Sequence, residues 1–151
     1  MLILIPSVTA LLAVILAPLI SVHVANKQAR LHAIVLDRKD SIKEMRRTFS
    51  EFITYLMIVN GERGLGRINH KEATEKLEKA FRLETELSLM LSSEDADHVI
   101  VMKNITEARN RVFRDLDNVY NPQNWEPHYY EASQAMTRIL KVEKQKVIRL
   151  E

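Results

Sequence analysis

The chain has 151 residues and a mass of 17.5 kDa, with 46% apolar residues, 28% charged residues and no cysteine. That is one domain at most, with no material for a disulfide framework or thiolate chemistry. The 22 basic and 20 acidic residues leave a formal charge of +2, and none of them lies in the first 26 positions, so the average conceals an apolar N-terminal segment.

Residues Leu2 to Ala25 are an uncharged run of 24, fourteen of them Leu, Ile or Val. At ~1.5 Å per residue a helix of that length spans roughly 36 Å, against a hydrocarbon core of about 30 Å. Its gross insertion term is on the order of −7 kcal/mol at about −0.5 kcal/mol per central Leu, Ile or Val. The run predicts a transmembrane helix over 1–25. A cleaved signal peptide is the alternative; it is disfavoured because no basic stretch precedes the run, Pro18 spoils cleavage after Ala17, and His23 weakens the site at Ala25. Between Asn26 and Arg47, seven basic residues (Lys27, Arg30, Arg38, Lys39, Lys43, Arg46, Arg47) face three acidic ones (Asp37, Asp40, Glu44). By the positive-inside rule the N-terminus is expected outside and residues 26–151 in the cytoplasm. Within the span Ser7, Ala10, Val14, Ala17 or Pro18, and Ser21 recur at helical spacing, with Gln28 beyond them. Such a stripe of small and weakly polar groups suits close helix packing or a narrow pore. A single helix encloses no pathway, so a pore implies a symmetric homo-oligomer.

The remainder predicts an all-α protein, since apolar spacing is helical throughout and only three glycines and four prolines occur. The membrane helix is expected to continue to about Leu36 as a basic juxtamembrane helix, 26–40, ahead of a cytoplasmic helical domain, 41–151. Ser41 with Glu44 has the spacing of a capping box for a second helix, with Ile42, Met45, Phe49, Phe52, Ile53 and Leu56 on one side. A loop over Gly61 to Arg67 ends it. Asn69 with Glu72 marks a third helix with Leu77, Ala80, Phe81, Leu87 and Leu91 inward. Ser93 is placed to cap a fourth, with Glu94, Asp95 and Asp97 in its first turn and Val101, Ile105, Ala108, Val112 and Leu116 as its stripe. Asn121 to Asn124 reads as a turn, and Pro127 opens a last helix to about Leu150, with Tyr129, Ala132, Met136, Ile139, Leu140 and Val147 inward.

The segment Asp40 to Phe52, holding Ile42, Met45-Arg46 and Glu51, and the segment Leu83 to His98, holding Leu87, Leu89, Leu91, Glu94, Asp97 and His98, carry a resemblance. Together they resemble a group of short single-span bacterial membrane proteins, although Ser92-Ser93 stands where that group has Asn-Pro. Some of the group are similar to membrane effectors of antiphage systems such as Hailong. The resemblance implies a bacterial inner-membrane protein, a tetramer by preference, acting as an ion channel or pore. It also implies a nucleotidyltransferase partner whose oligonucleotide product is the signal. A non-conducting anchor or adaptor, and a phage or prophage exclusion protein, are the other readings.

Catalytic chemistry is not expected. His23, His32, His70, His98 and His128 show no metal-binding i, i+4 pair. Asp95, Asp97 and His98 fit a helix start better than an acid/base pair, and the glycine loop lacks the Gly-Lys-Ser/Thr ending of a phosphate cradle. No cofactor, metal or enzyme activity is therefore proposed. For a phosphate-bearing ligand the candidates are Arg63 and Arg67 in the loop, Arg109, Arg111 and Arg114 on the fourth helix, and Lys141 and Lys144 on the basic face of the last, beside Arg138, Lys146 and Arg149. Outside residues 26–47 the chain has 15 basic and 17 acidic residues. Genomic DNA is accordingly excluded as a partner, in favour of a local pocket.

Overall fold

The computed structural model describes residues 4–114 and 124–150, with side chains from residue 18 on except residue 19. Four helices account for nearly all of it: α1 (Leu4–Gly64), α2 (His70–Met90), α3 (Ala96–Arg114) and α4 (Glu126–Ile148). No strand occurs among the described residues, and the protein is all-α. The expected side-chain stripe at Ser7, Ala10, Val14 and Ala17 lies outside the described side chains; Leu116 and the turn at 121–123 lie outside the described residues.

The break expected at Ser41 does not occur. α1 runs for 61 residues, with Pro18 inside it, a length of about 90 Å at 1.5 Å per residue. Ser41 and Glu44 do not act as a cap because nothing before them stops the helix, and restarting one would cost a second nucleation. Continuity also keeps Val35, Ile42 and Met45 on one face, where Val35 and Met45 are buried.

The helix stops instead at Gly64, one turn later than expected. Gly66 takes φ +67 and Arg67 N–H donates to the Glu62 carbonyl (2.8 Å) while Gly66 N–H donates to that of Arg63 (2.9 Å). This is a Schellman ending with glycine at its left-handed position. Three residues on, Asn69 forms the expected capping box: its side chain accepts from Glu72 N–H (2.9 Å) and Glu72 Oε2 accepts from Asn69 N–H (3.1 Å). The start of α3 is a correction. Asp95, not Ser93, accepts from the backbone N–H groups of Asp97 (2.9 Å) and His98 (3.4 Å). At α4, Pro127 occupies the first turn as expected, and Trp125, buried, stands at the cap.

The four helices run up and down. Asp97 meets Arg138 and Asn104 meets His128, which sets α3 and α4 antiparallel, and Glu84 meets Arg109 between α2 and α3. α4 closes against α1: Tyr129 and Met136 share a groove with Ile53 and Met57, Leu140 with Arg46, and Glu143 reaches Arg38 at 3.8 Å. The core between them holds Phe52, Leu56 and Val59 of α1, Leu77 and Leu87 of α2, Val101 and Ile105 of α3, and Met136 and Ile139 of α4. Ala73, Ala80, Ala108, Ala132 and Ala135 are fully buried between the larger groups, which brings the backbones close. Phe81, expected inward, is 53% exposed. Leu77, Ala80, Glu84 and Leu87 define the buried face of α2, and Phe81 falls beside that face.

Among the described residues no helix is long and apolar enough to cross a membrane. Most of the run Leu2 to Ala25 lies outside the described side chains.

Candidate ligand site between α2 and α3

Glu84 interrupts the apolar face of α2 and is 7% exposed. A carboxylate removed from water needs compensation, and α3 supplies it from two positions one turn apart. The Thr106 hydroxyl donates to Glu84 Oε1, and Arg109 Nε lies 2.6 Å from Oε2. The Arg109 contact is close but out of line for a hydrogen bond, so charge rather than directed bonding carries it. The guanidinium carbon of Arg109 stands 5.0 Å from the centre of the Phe81 ring, within cation–π range.

Outward from this pair a groove of about 360 Å³ opens between the two helices. Its walls include the half-exposed rings of Phe81 and Phe113, with Arg109, Arg82 and Glu78 along it and Leu77 at its base. Two aromatic faces beside arginines suit a planar anionic group, stacked by the rings and held by the cations. Glu84 sets the condition for binding: an incoming anion gains from Arg109 only by competing with a carboxylate already in place.

The other arginines of α3 are also paired. Arg111 Nε donates to Glu107 Oε1 at 2.7 Å, and Arg114 lies 3.7 Å from the same oxygen. The hydrogen bond from Arg111 holds the Glu107 carboxyl below its ordinary range against the opposing effect of burial, and the charges of Arg111, Arg114 and His128 add to it. His128 Nδ1 sits 2.9 Å from Asn104 Oδ1, at the border of a second depression lined by Met102, Thr106 and Glu107.

The seven basic candidates therefore do not converge. Arg109 faces α2, and Arg111 and Arg114 share Glu107. Arg63 and Arg67 supply backbone groups to the end of α1, which makes the glycine loop a helix stop built from its own carbonyls. Lys141 and Lys144 lie on the far half of α4. Lys144 is 16 positions beyond His128, about 24 Å along the helix from the contact with Asn104. The acidic start of α3 has structural employment. Asp97 takes a forked contact from Arg138 (2.6 to 3.1 Å), which lowers its carboxyl pKa, while His98 Nδ1 accepts from Ser92 N–H at 2.7 Å. Among the described residues no group of three or more His, Asp or Glu is gathered to hold a metal.

Glu84 and the two phenylalanines are absent from the sequence-based candidates. Glu84 has a legible signal, a charge at the i+4 position from Ala80 inside an apolar stripe. Phe113 and Phe81 have none, because pairing across a groove depends on how two helices are set against each other.

Comparison of the chain with protein-family models, with characterised proteins and with solved structures finds no match.

Proposed function

We propose that this protein is a membrane effector, anchored by residues 1–25 with the N-terminus outside, in which self-association of the N-terminal helix makes a pore and the helical bundle controls it. The observation that carries the proposal is the continuity of α1, which extends without interruption from the apolar run to the bundle core at Phe52, Leu56 and Val59. A continuous helix transmits rotation or displacement, whereas a flexible joint at Ser41 would absorb it. The Ser7, Ala10, Val14, Ala17 and Ser21 stripe is the proposed packing and pore-lining face, a tetramer is the preferred assembly, and lipid is the surrounding partner.

The proposed signal is a nucleotide or short oligonucleotide, in keeping with the Hailong-like resemblance and with the aromatic and arginine chemistry of the α2–α3 groove. A ligand shifts a gate only through its differential affinity for the two states, and moving 1:99 to 99:1 takes about 5.5 kcal/mol. Competition for Arg109 is a route to such a difference, because losing Arg109 leaves Glu84 buried without its cation.

The test is ion flux from liposomes holding the full chain, with and without short oligoadenylates, for wild type and for Phe113→Ala with Arg82→Ala. Ligand-dependent flux that the double variant loses is the expected result. Flux indifferent to ligand would remove the groove from the mechanism. Absence of flux under every ligand would favour the second reading, a non-conducting anchor, which the existing pairing of Arg109, Arg111 and Arg114 with Glu84 and Glu107 supports.

A further inference from the structure

We infer that the C-terminal end of α4 is a second membrane contact, a basic and apolar surface that docks on anionic phospholipid headgroups. The inference rests on the membrane-anchored reading of α1.

Two basic segments separated by more than a hundred residues in sequence are brought to one end of the bundle. α4 runs antiparallel to α1, with Leu140 and Arg46 lining one groove between them and Glu143 Oε2 at 3.8 Å from Arg38 Nη1. Following that pairing one further turn sets Val147 level with Val35; these two are buried, 3% and 5% exposed, although the residues on either side of each are exposed. The last turn of α4 therefore ends against α1 about ten residues, or roughly 15 Å, past Ala25, the last residue of the apolar run. Arg149, two positions beyond Val147, is closer still.

The composition of this end matches a lipid surface. α1 contributes Lys27 and Arg30, and α4 contributes Lys144, Lys146 and Arg149, all exposed. Glu143 is the acid among the α4 residues here, and it is engaged by Lys146 and Arg38. Between the cations stand the exposed apolar side chains of Leu31, Ile34 and Ile148, the last 58% exposed. Basic residues around an apolar tip are the pattern that seats a helix end at an anionic interface. The acid-rich turn Glu94, Asp95 and Asp97 is set back. Its Asp97 pairs with Arg138, ten residues below Ile148 on α4 and about 15 Å further from the lipid. Headgroups occupy about 5 to 7 Å outside the hydrocarbon, and their potential falls off over about 8 Å at physiological salt. Long side chains projecting from Lys146 and Arg149 toward the surface come within that range.

The absence of cysteine makes the test clean. The full chain carrying Gln145→Cys, an exposed position, is labelled with a fluorophore. It is then reconstituted into neutral vesicles and into vesicles containing an anionic phospholipid, each with a quencher on the lipid headgroup. Quenching is expected to be stronger in the anionic vesicles and to fall at high salt. It is also expected to fall on adding Lys144→Glu and Arg149→Glu, by about fivefold in surface occupancy per charge removed. Unchanged helix content by circular dichroism separates this loss from unfolding. Insertion into both vesicle types with equal quenching would overturn the inference and leave the anchor standing. Failure to co-float with either vesicle would overturn the anchored reading itself.

Discussion

One helix, α1, leads two different lives. From Met45 to Val59 most of its apolar side chains are enclosed by α2, α3 and α4, Phe52, Leu56 and Val59 completely, while Met57 remains 44% exposed. From Ile20 to Ile34 residues of the same kind stand open, with Ile20 and Val22 about 60% exposed. Composition does not separate the two stretches. What separates them is that, among the described residues, three helices fold back against the first and none against the second, so the apolar surface of the second is left for a partner outside the fold, lipid or a second copy in the proposed arrangement. A single rigid element thereby holds a finished interface at one end and an unfinished one at the other.

The largest break in that comparison comes from the enclosed stretch. Phe52→Ala should cost about 3–5 kcal/mol of bundle stability through lost burial and a residual cavity, read as a fall in denaturation midpoint. Ile20→Ala should stay within about 0.5 kcal/mol, because its side chain is already 61% exposed. Equal effects would mean that the open stretch is enclosed after all.

A smaller effect is expected at the α2–α3 seam. Arg109→Leu leaves the Glu84 carboxylate buried with only Thr106 as partner, at a cost of about 1–3 kcal/mol, and Glu84→Leu in the same chain should restore part of it. A double-mutant cycle with no coupling would show the two groups to be independent.

Smaller again is Gly66→Ala, which places a Cβ at φ +67 and should cost about 1 kcal/mol, since open space around the position leaves backbone strain as the whole effect. The smallest concerns pH. Arg138 lowers the Asp97 carboxyl below its usual 3.8, so the pair contributes stability that is present above that value and lost as pH falls through the lower folded one. Asp97→Asn should therefore be slightly less stable than wild type at neutral pH, with the gap closing below about pH 4. A gap that widened in acid would reverse the sign of the linkage.

Several features were legible before the fold was. The stripes of α2, α3 and α4, the Asn69 and Glu72 capping box and Pro127 at the start of α4 are local signals, each written within a turn or two of sequence. Ser41 and Glu44 carried an equally good local signal and it was overridden. Capping residues mark where a helix is able to begin, while the burial of Val35 and Met45 along one unbroken face decides that this one does not. Ser93 lost to Asp95 because α3 begins at Ala96, which leaves the Asp95 carboxylate next to the open N–H groups of Asp97 and His98.

Helix content and the apolar N-terminal run follow from residue order by itself, because periodicity and hydropathy are properties of neighbours along the chain. The partnerships of charge do not. That Arg109 answers Glu84, that Arg138 answers Asp97 and that Glu143 reaches Arg38 all depend on which face of each helix the up-and-down packing turns toward which neighbour. A charged side chain has many possible partners in sequence, and only the closed bundle brings one of them within 4 Å.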